Sequence, residues 1–104
     1  MSAVNQQVKL GRLLIFNCND TYSRACCEML INANLTPGKD LGLLSGDGFG
    51  FSKRLKPEIA AVQSQPVEMG KLAVKALISR LSPDNFSSPH NITPEPTFTF
   101  GETL

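Results

Sequence analysis

The chain has 104 residues, of which 41% are hydrophobic and 18% charged, with a formal net charge of +1. This composition fits one small globular domain and excludes a chain disordered throughout. The near-neutral balance offers no electrostatic footprint for nucleic acid, and no apolar run approaches the ~18 residues of a membrane span.

Residues 1–12 form a polar lead, either a loose helix or an appendage, without the apolar core of a secretory leader. Leu13-Leu14-Ile15-Phe16-Asn17 is a nearly continuous apolar run, the pattern of a strand covered on both faces. Asp20 or Thr21 is the expected N-cap of the helix that follows. Its apolar positions, Tyr22, Ala25, Cys26, Met29, Leu30 and Ala33, recur at helical spacing and predict one buried stripe. Asn34 suits the left-handed residue that ends a helix, and Pro37-Gly38 makes the turn. A second strand is expected over 41–45, followed by a flexible Gly46-Asp47-Gly48-Phe49-Gly50 loop. Strand, helix, strand over this length requires the two strands to run parallel. Asn19, Asp20 and Asp47 are then delivered to the carboxyl edge of the sheet, where open α/β sheets bind ligands.

A short helical turn is expected over 52–55, stopping before Pro57, and a third strand over 59–63. Pro66 suits the first position of a helix that runs to residue 81, with Met69, Leu72, Ala73, Ala76, Leu77 and Leu81 on one stripe. Residues 82–96, with four prolines and several serines, read as a loop. The alternation of Thr97, Phe98, Thr99 and Phe100 predicts a half-buried edge strand.

Few residues suggest catalysis. Cys18, Cys26 and Cys27 are odd in number and lack metal spacing, which reads as reduced thiols in a cytosolic protein. The glycines at 46, 48 and 50 lack the Gly-Lys-Ser/Thr ending of a phosphate loop. His90 has no nucleophile at a recognisable spacing, and Lys53, Arg54 and Lys56 read as a solvated basic face. No enzyme, metal or cofactor is expected.

The ordered set of an apolar strand ending in Asn19-Asp20, the Pro37-Gly38-Lys39-Asp40 turn, Leu41-Gly42-Leu43-Leu44-Ser45-Gly46-Asp47, Pro57-Glu58-Ile59-Ala60-Ala61-Val62 and Pro66-Val67-Glu68-Met69-Gly70-Lys71-Leu72-Ala73 resembles the C-terminal part of the lactose-repressor (LacI/GalR) family of transcriptional regulators. The resemblance covers about residues 12–81, with a weaker match in the last strand. It implies a partial periplasmic-binding-protein-like (Rossmann-like) α/β fold, with parallel strands, flanking helices and an incomplete lobe. Residues 13–63 would belong to the C-terminal lobe of a sugar-sensing domain, 64–81 to a hinge crossover and a helix that packs on the other lobe in the family. Residues 82–96 would hold a second crossover, and 97–104 a closing strand.

The resemblance also implies roles. Asn19 and Asp47 match positions that reach effector hydroxyls, and Ser64 stands where many members place a ligand-facing Gln. Asp20 reads as a helix cap, and Asp47 between two glycines also reads as a turn residue. Tyr22, Phe51 and Leu55 fall where the family builds its dimer interface, although Tyr22 and Leu55 also suit ordinary packing. Where the family places an aromatic residue and a second acidic residue around Asp47, this chain has Gly46 and Gly48. The family's helix-turn-helix and most of its first lobe have no counterpart in these residues, so the expectation is a regulator fragment that self-associates. Its partners would be a small sugar or polyol effector, and DNA only through a domain not present here. The alternative implied by the same fold is a periplasmic sugar-binding transport receptor.

Overall fold

The computed structural model describes residues 2–47, 55–81 and 91–104. The expected features at 48–50 and 52–54, Phe51 and His90, lie outside the described residues. The chain divides into two compact units, one of residues 1–63 with 97–104 and one of residues 64–96.

The first unit contains α1 (Ser2–Leu10), β1 (Leu14–Asn17), α2 (Asp20–Asn32), β2 (Gly42–Gly46), β3 (Ala60–Gln63) and β4 (Thr97–Thr99). The sheet order is β1-β2-β3-β4. The first three strands are parallel, with Ile15 opposite Leu43 and Ser45 opposite Ala61. The short β4 closes the edge antiparallel to β3, with Phe98 opposite Val62. Phe98 and Phe100 pack edge to face, their ring centroids 4.8 Å apart.

The ends of α2 follow from local chemistry, with one correction at the start. Asn19, rather than Asp20 or Thr21, is the N-cap: its backbone is extended and its Oδ1 accepts the Tyr22 N–H at 3.1 Å. Asn19 is the last residue able to stay extended before the helix, and its short amide reaches the orphan N–H three residues on. Asp20 instead opens the first turn, where a carboxylate favours the positive end of the helix dipole. At the other end Asn34 takes φ +59, as its residue type predicts. The Leu35 N–H donates to Leu30 O and the Asn34 N–H to Ile31 O, the paired bonds that satisfy a helix's last carbonyls.

The buried stripe of α2 is displaced by one residue from the expected one. Ser23, Cys27 and Leu30 face the sheet, while Tyr22 and Met29 are exposed. Ser23 can be buried because its hydroxyl donates to Asn19 O at 2.8 Å, so no polar group is stranded. Cys27 packs with Leu43 and Ile59, and Ile15, Cys26 and Leu55 surround that cluster. Burial raises the Cys27 thiol above its ordinary pKa, with Cys26 and Glu28 adding to the effect. The proton is therefore released first from the unfolded chain. The stability this group contributes is whole below the unfolded thiol pKa and is lost as pH rises toward the folded value. The urea midpoint should fall across that window. In native conditions iodoacetamide should modify exposed Cys18 first and Cys27 last, as mass spectrometry of peptides would show.

The C-terminal residues lock the first unit. The Glu102 N–H donates to Glu58 O, and the Glu58 N–H donates to Glu102 Oε2 at 2.7 Å. Thr103 is fully buried between β2 and β3 at the end where those strands diverge. Its Oγ1 donates to Leu43 O at 2.7 Å and accepts the Ala60 N–H at 2.9 Å, while its carbonyl accepts the Leu43 N–H at 2.8 Å.

The second unit holds α3 (Pro66–Leu81), with Pro66 at its first position as expected. No residue of α3 is buried, and only Leu72 and Ala76 are partly covered. In the same unit Gln65 Nε2 donates to Glu95 O at 3.0 Å.

Candidate functional site

Parallel pairing of β1 with β2 and of β2 with β3 brings the carboxyl ends of three strands to one edge. Asn19 stands two residues beyond β1, half-buried, with its backbone and side-chain oxygens both engaged at the start of α2. Its amide N–H donors point the chemistry of this position toward an acceptor. Asp20 is tied to the neighbouring strand, because Ser45 Oγ donates to its Oδ1 at 3.1 Å. That bond joins the end of β2 to the first turn of α2.

Asp47 directly follows β2 in the left-handed conformation, φ +63, and is exposed. Aspartate is among the few residues that accept this backbone, and the turn displays its carboxylate at the edge. A carboxylate here is an acceptor-only group, suited to donor hydroxyls. Asn19 and Asp47 thus lie just beyond the ends of neighbouring parallel strands in one unit. Ser64 lies just past the end of β3 and is half-buried in the other unit. Of the expected interface residues, Tyr22 is exposed on the first turn of α2 and Leu55 is half-buried against the Cys27–Leu43–Ile59 cluster. Phe51 lies outside the described residues.

Two further residues of this edge escape the pattern of the sequence. Asn17 ends β1 and Gln63 ends β3, and among the described residues the buried Nδ2 of Asn17 and Nε2 of Gln63 have no hydrogen-bond partner. Each leaves about 1–3 kcal/mol of desolvation uncompensated. A signal was present: Asn17 breaks an apolar run at the parity of Ile15, and Gln63 follows Ala61 at the same parity.

The opposite end of the sheet differs in character. A concavity of about 430 Å³ opens at the amino ends of β1 and β2, lined by Arg12, Leu14, Lys39, Leu41 and Leu104. It contains none of the expected site residues, and its walls are the turn and the C-terminal lock. No cluster of three or more metal-ligating side chains occurs among the described residues, and no helix there is long and apolar enough to cross a membrane.

The chain has counterparts among known proteins. Residues 3–104 match the family described as periplasmic binding protein-like domain. The chain is 26% identical over 90 residues to the ribose operon repressor of Haemophilus influenzae, a match covering 86% of this chain and 27% of that protein. The crystal structure of an uncharacterized protein from Actinobacillus succinogenes has the same fold, with a TM-score of 0.81 at 20% identity over 86% of this chain and 33% of the other. The chain therefore spans about a quarter to a third of the length of these relatives.

Proposed function

The chain belongs to the periplasmic binding protein-like domain family, and from that premise we propose that it is part of the effector-sensing region of a cytoplasmic transcriptional regulator that binds a small sugar or related polyol. The observation that carries this reading is the carboxyl edge itself. Asn19 and Asp47 lie just beyond the ends of two neighbouring parallel strands, and the chain is similar to a ribose operon repressor. Asp47 accepts hydroxyl protons and Asn19 supplies amide donors, while Ser64, the third residue assigned to effector binding, belongs to the other unit. The chain contributes binding rather than catalysis. DNA contact belongs to another domain of the regulator. Tyr22, Phe51 and Leu55 are the residues assigned to a self-association surface, with exposed Tyr22 as its anchor.

An effector acts in such a protein by preferring one of two lobe arrangements and so shifting DNA affinity. The test is Asp47→Ala in the complete gene product, titrated calorimetrically with D-ribose and other pentoses and hexoses. A charged hydrogen bond of about 1.5–3 kcal/mol predicts a loss of roughly 10- to 150-fold in affinity. Unchanged affinity for the sugar that the unsubstituted protein binds would remove Asp47 from the site.

A further inference from the structure

Asn17 and Gln63 lie on the same face of the sheet, at the same edge. Asn17 pairs in register with Ser45, Ser45 pairs with Ala61, and Gln63 stands two residues beyond Ala61. Side chains alternate along a strand, so Asn17, Ser45 and Gln63 share a face. It is the face on which Ser45 reaches Asp20 of α2. Ser45 has a partner for its hydroxyl there, whereas the side-chain nitrogens of the two flanking amides have none among the described residues.

Buried donors without partners are uncommon in folded proteins and call for an explanation. Here both belong to the last residues of parallel strands, and both fall beside Asn19 and Asp47 rather than scattered through the core. Two strand spacings and a two-residue offset put their Cα atoms about 12 Å apart, a separation that two amide side chains can bridge through one sugar-sized molecule.

We propose that Asn17 and Gln63 are specificity-determining residues of the effector site, presenting their side-chain amides as hydrogen-bond donors to ring or hydroxyl oxygens of a sugar-like ligand. The inference deepens the reading of this edge as an effector site and rests on it. Both residues are only partly buried as a whole, although their amide nitrogens are turned inward. The final side-chain torsion of Asn and Gln is soft, and its rotation turns the inward NH2 toward an incoming acceptor. Asp47 takes hydroxyl protons while Asn17 and Gln63 give protons to oxygens, so the pair selects ligands with both functions in a fixed arrangement.

The experiment replaces each amide by an apolar residue of similar volume, Asn17→Leu and Gln63→Met, in the complete gene product. Thermal unfolding without ligand and calorimetric titration with D-ribose and a panel of pentoses and hexoses are then compared. Removing an unpaired donor should leave the unliganded unfolding midpoint unchanged or raised, while affinity for the bound sugar falls about tenfold in each variant. Asn17→Ala and Gln63→Ala give the same affinity readout if the larger side chains disturb folding. Unchanged affinity in these variants, with sugar bound normally by the unsubstituted protein, overturns the inference and leaves the effector site standing. Failure of the unsubstituted protein to bind any member of the panel overturns the effector-site reading, and the inference falls with it.

Discussion

Substituting alanine at Gly101 should lower the stability of the first unit by about 3–5 kcal/mol. Gly101 has φ +58, a conformation that costs an L side chain about 1–2 kcal/mol. Space is the larger obstacle. A Cβ there would lie 2.5 Å from Glu58 O, 2.7 Å from Ala60 N and 2.8 Å from Ile59 C, all backbone atoms that cannot swing aside. The segment must lift, breaking the Glu102–Glu58 bonds and loosening the Thr103 bonds beyond them. Against a typical total of about 5–15 kcal/mol, such a loss brings the fold close to its limit. Urea denaturation should show a lower midpoint with little change in slope. A loss below about 1 kcal/mol would mean that the C-terminal residues do not lock the sheet.

Thr103→Val should cost about 2–4 kcal/mol, although it preserves shape and adds no polar atom. The hydroxyl is both donor and acceptor in a fully buried position between β2 and β3. Valine leaves the Ala60 N–H and the Leu43 carbonyl without their side-chain partner where water cannot replace it, and an unsatisfied buried group costs more than a hydrogen bond gains. Thr103→Ser keeps both bonds and removes one methyl group, so it should cost only about 1 kcal/mol. The contrast isolates the hydroxyl. Equal losses in the two variants would show that packing, not hydrogen bonding, is what Thr103 provides.

The elements that position the site were legible because they rest on local chemistry. The apolar strand runs, the Asn34 helix end and Pro66 at the start of α3 each depend on residues within one or two turns. The order of strand, helix and strand was then enough to bring Asn19 and Asp47 to one edge. The facing of α2 was less legible, since apolar residues from Ala25 to Leu30 fill more than one stripe and a hydrogen-bonded Ser23 turned inward. Asn19 carried two compatible readings, because the oxygen that caps a helix and the amide nitrogen proposed to meet a ligand belong to one side chain. The Thr103 bonds join residues 43 and 60 positions apart in the chain, a distance at which no periodicity or capping rule operates. The uncompensated amides of Asn17 and Gln63 were likewise hidden, since strand pattern marks a polar interruption but not whether its donors find partners.

The most direct test of the effector reading is a calorimetric titration of the complete gene product with D-ribose, other pentoses and hexoses, and their deoxy analogues. A site built around Asp47 and strand-end amides predicts saturable binding of at least one sugar and much weaker binding of the analogue that lacks a recognised hydroxyl, because the buried polar groups then lose their partner. Absence of binding across the whole series, or equal affinity for a sugar and every one of its deoxy analogues, would contradict a hydroxyl-reading edge at the ends of β1, β2 and β3.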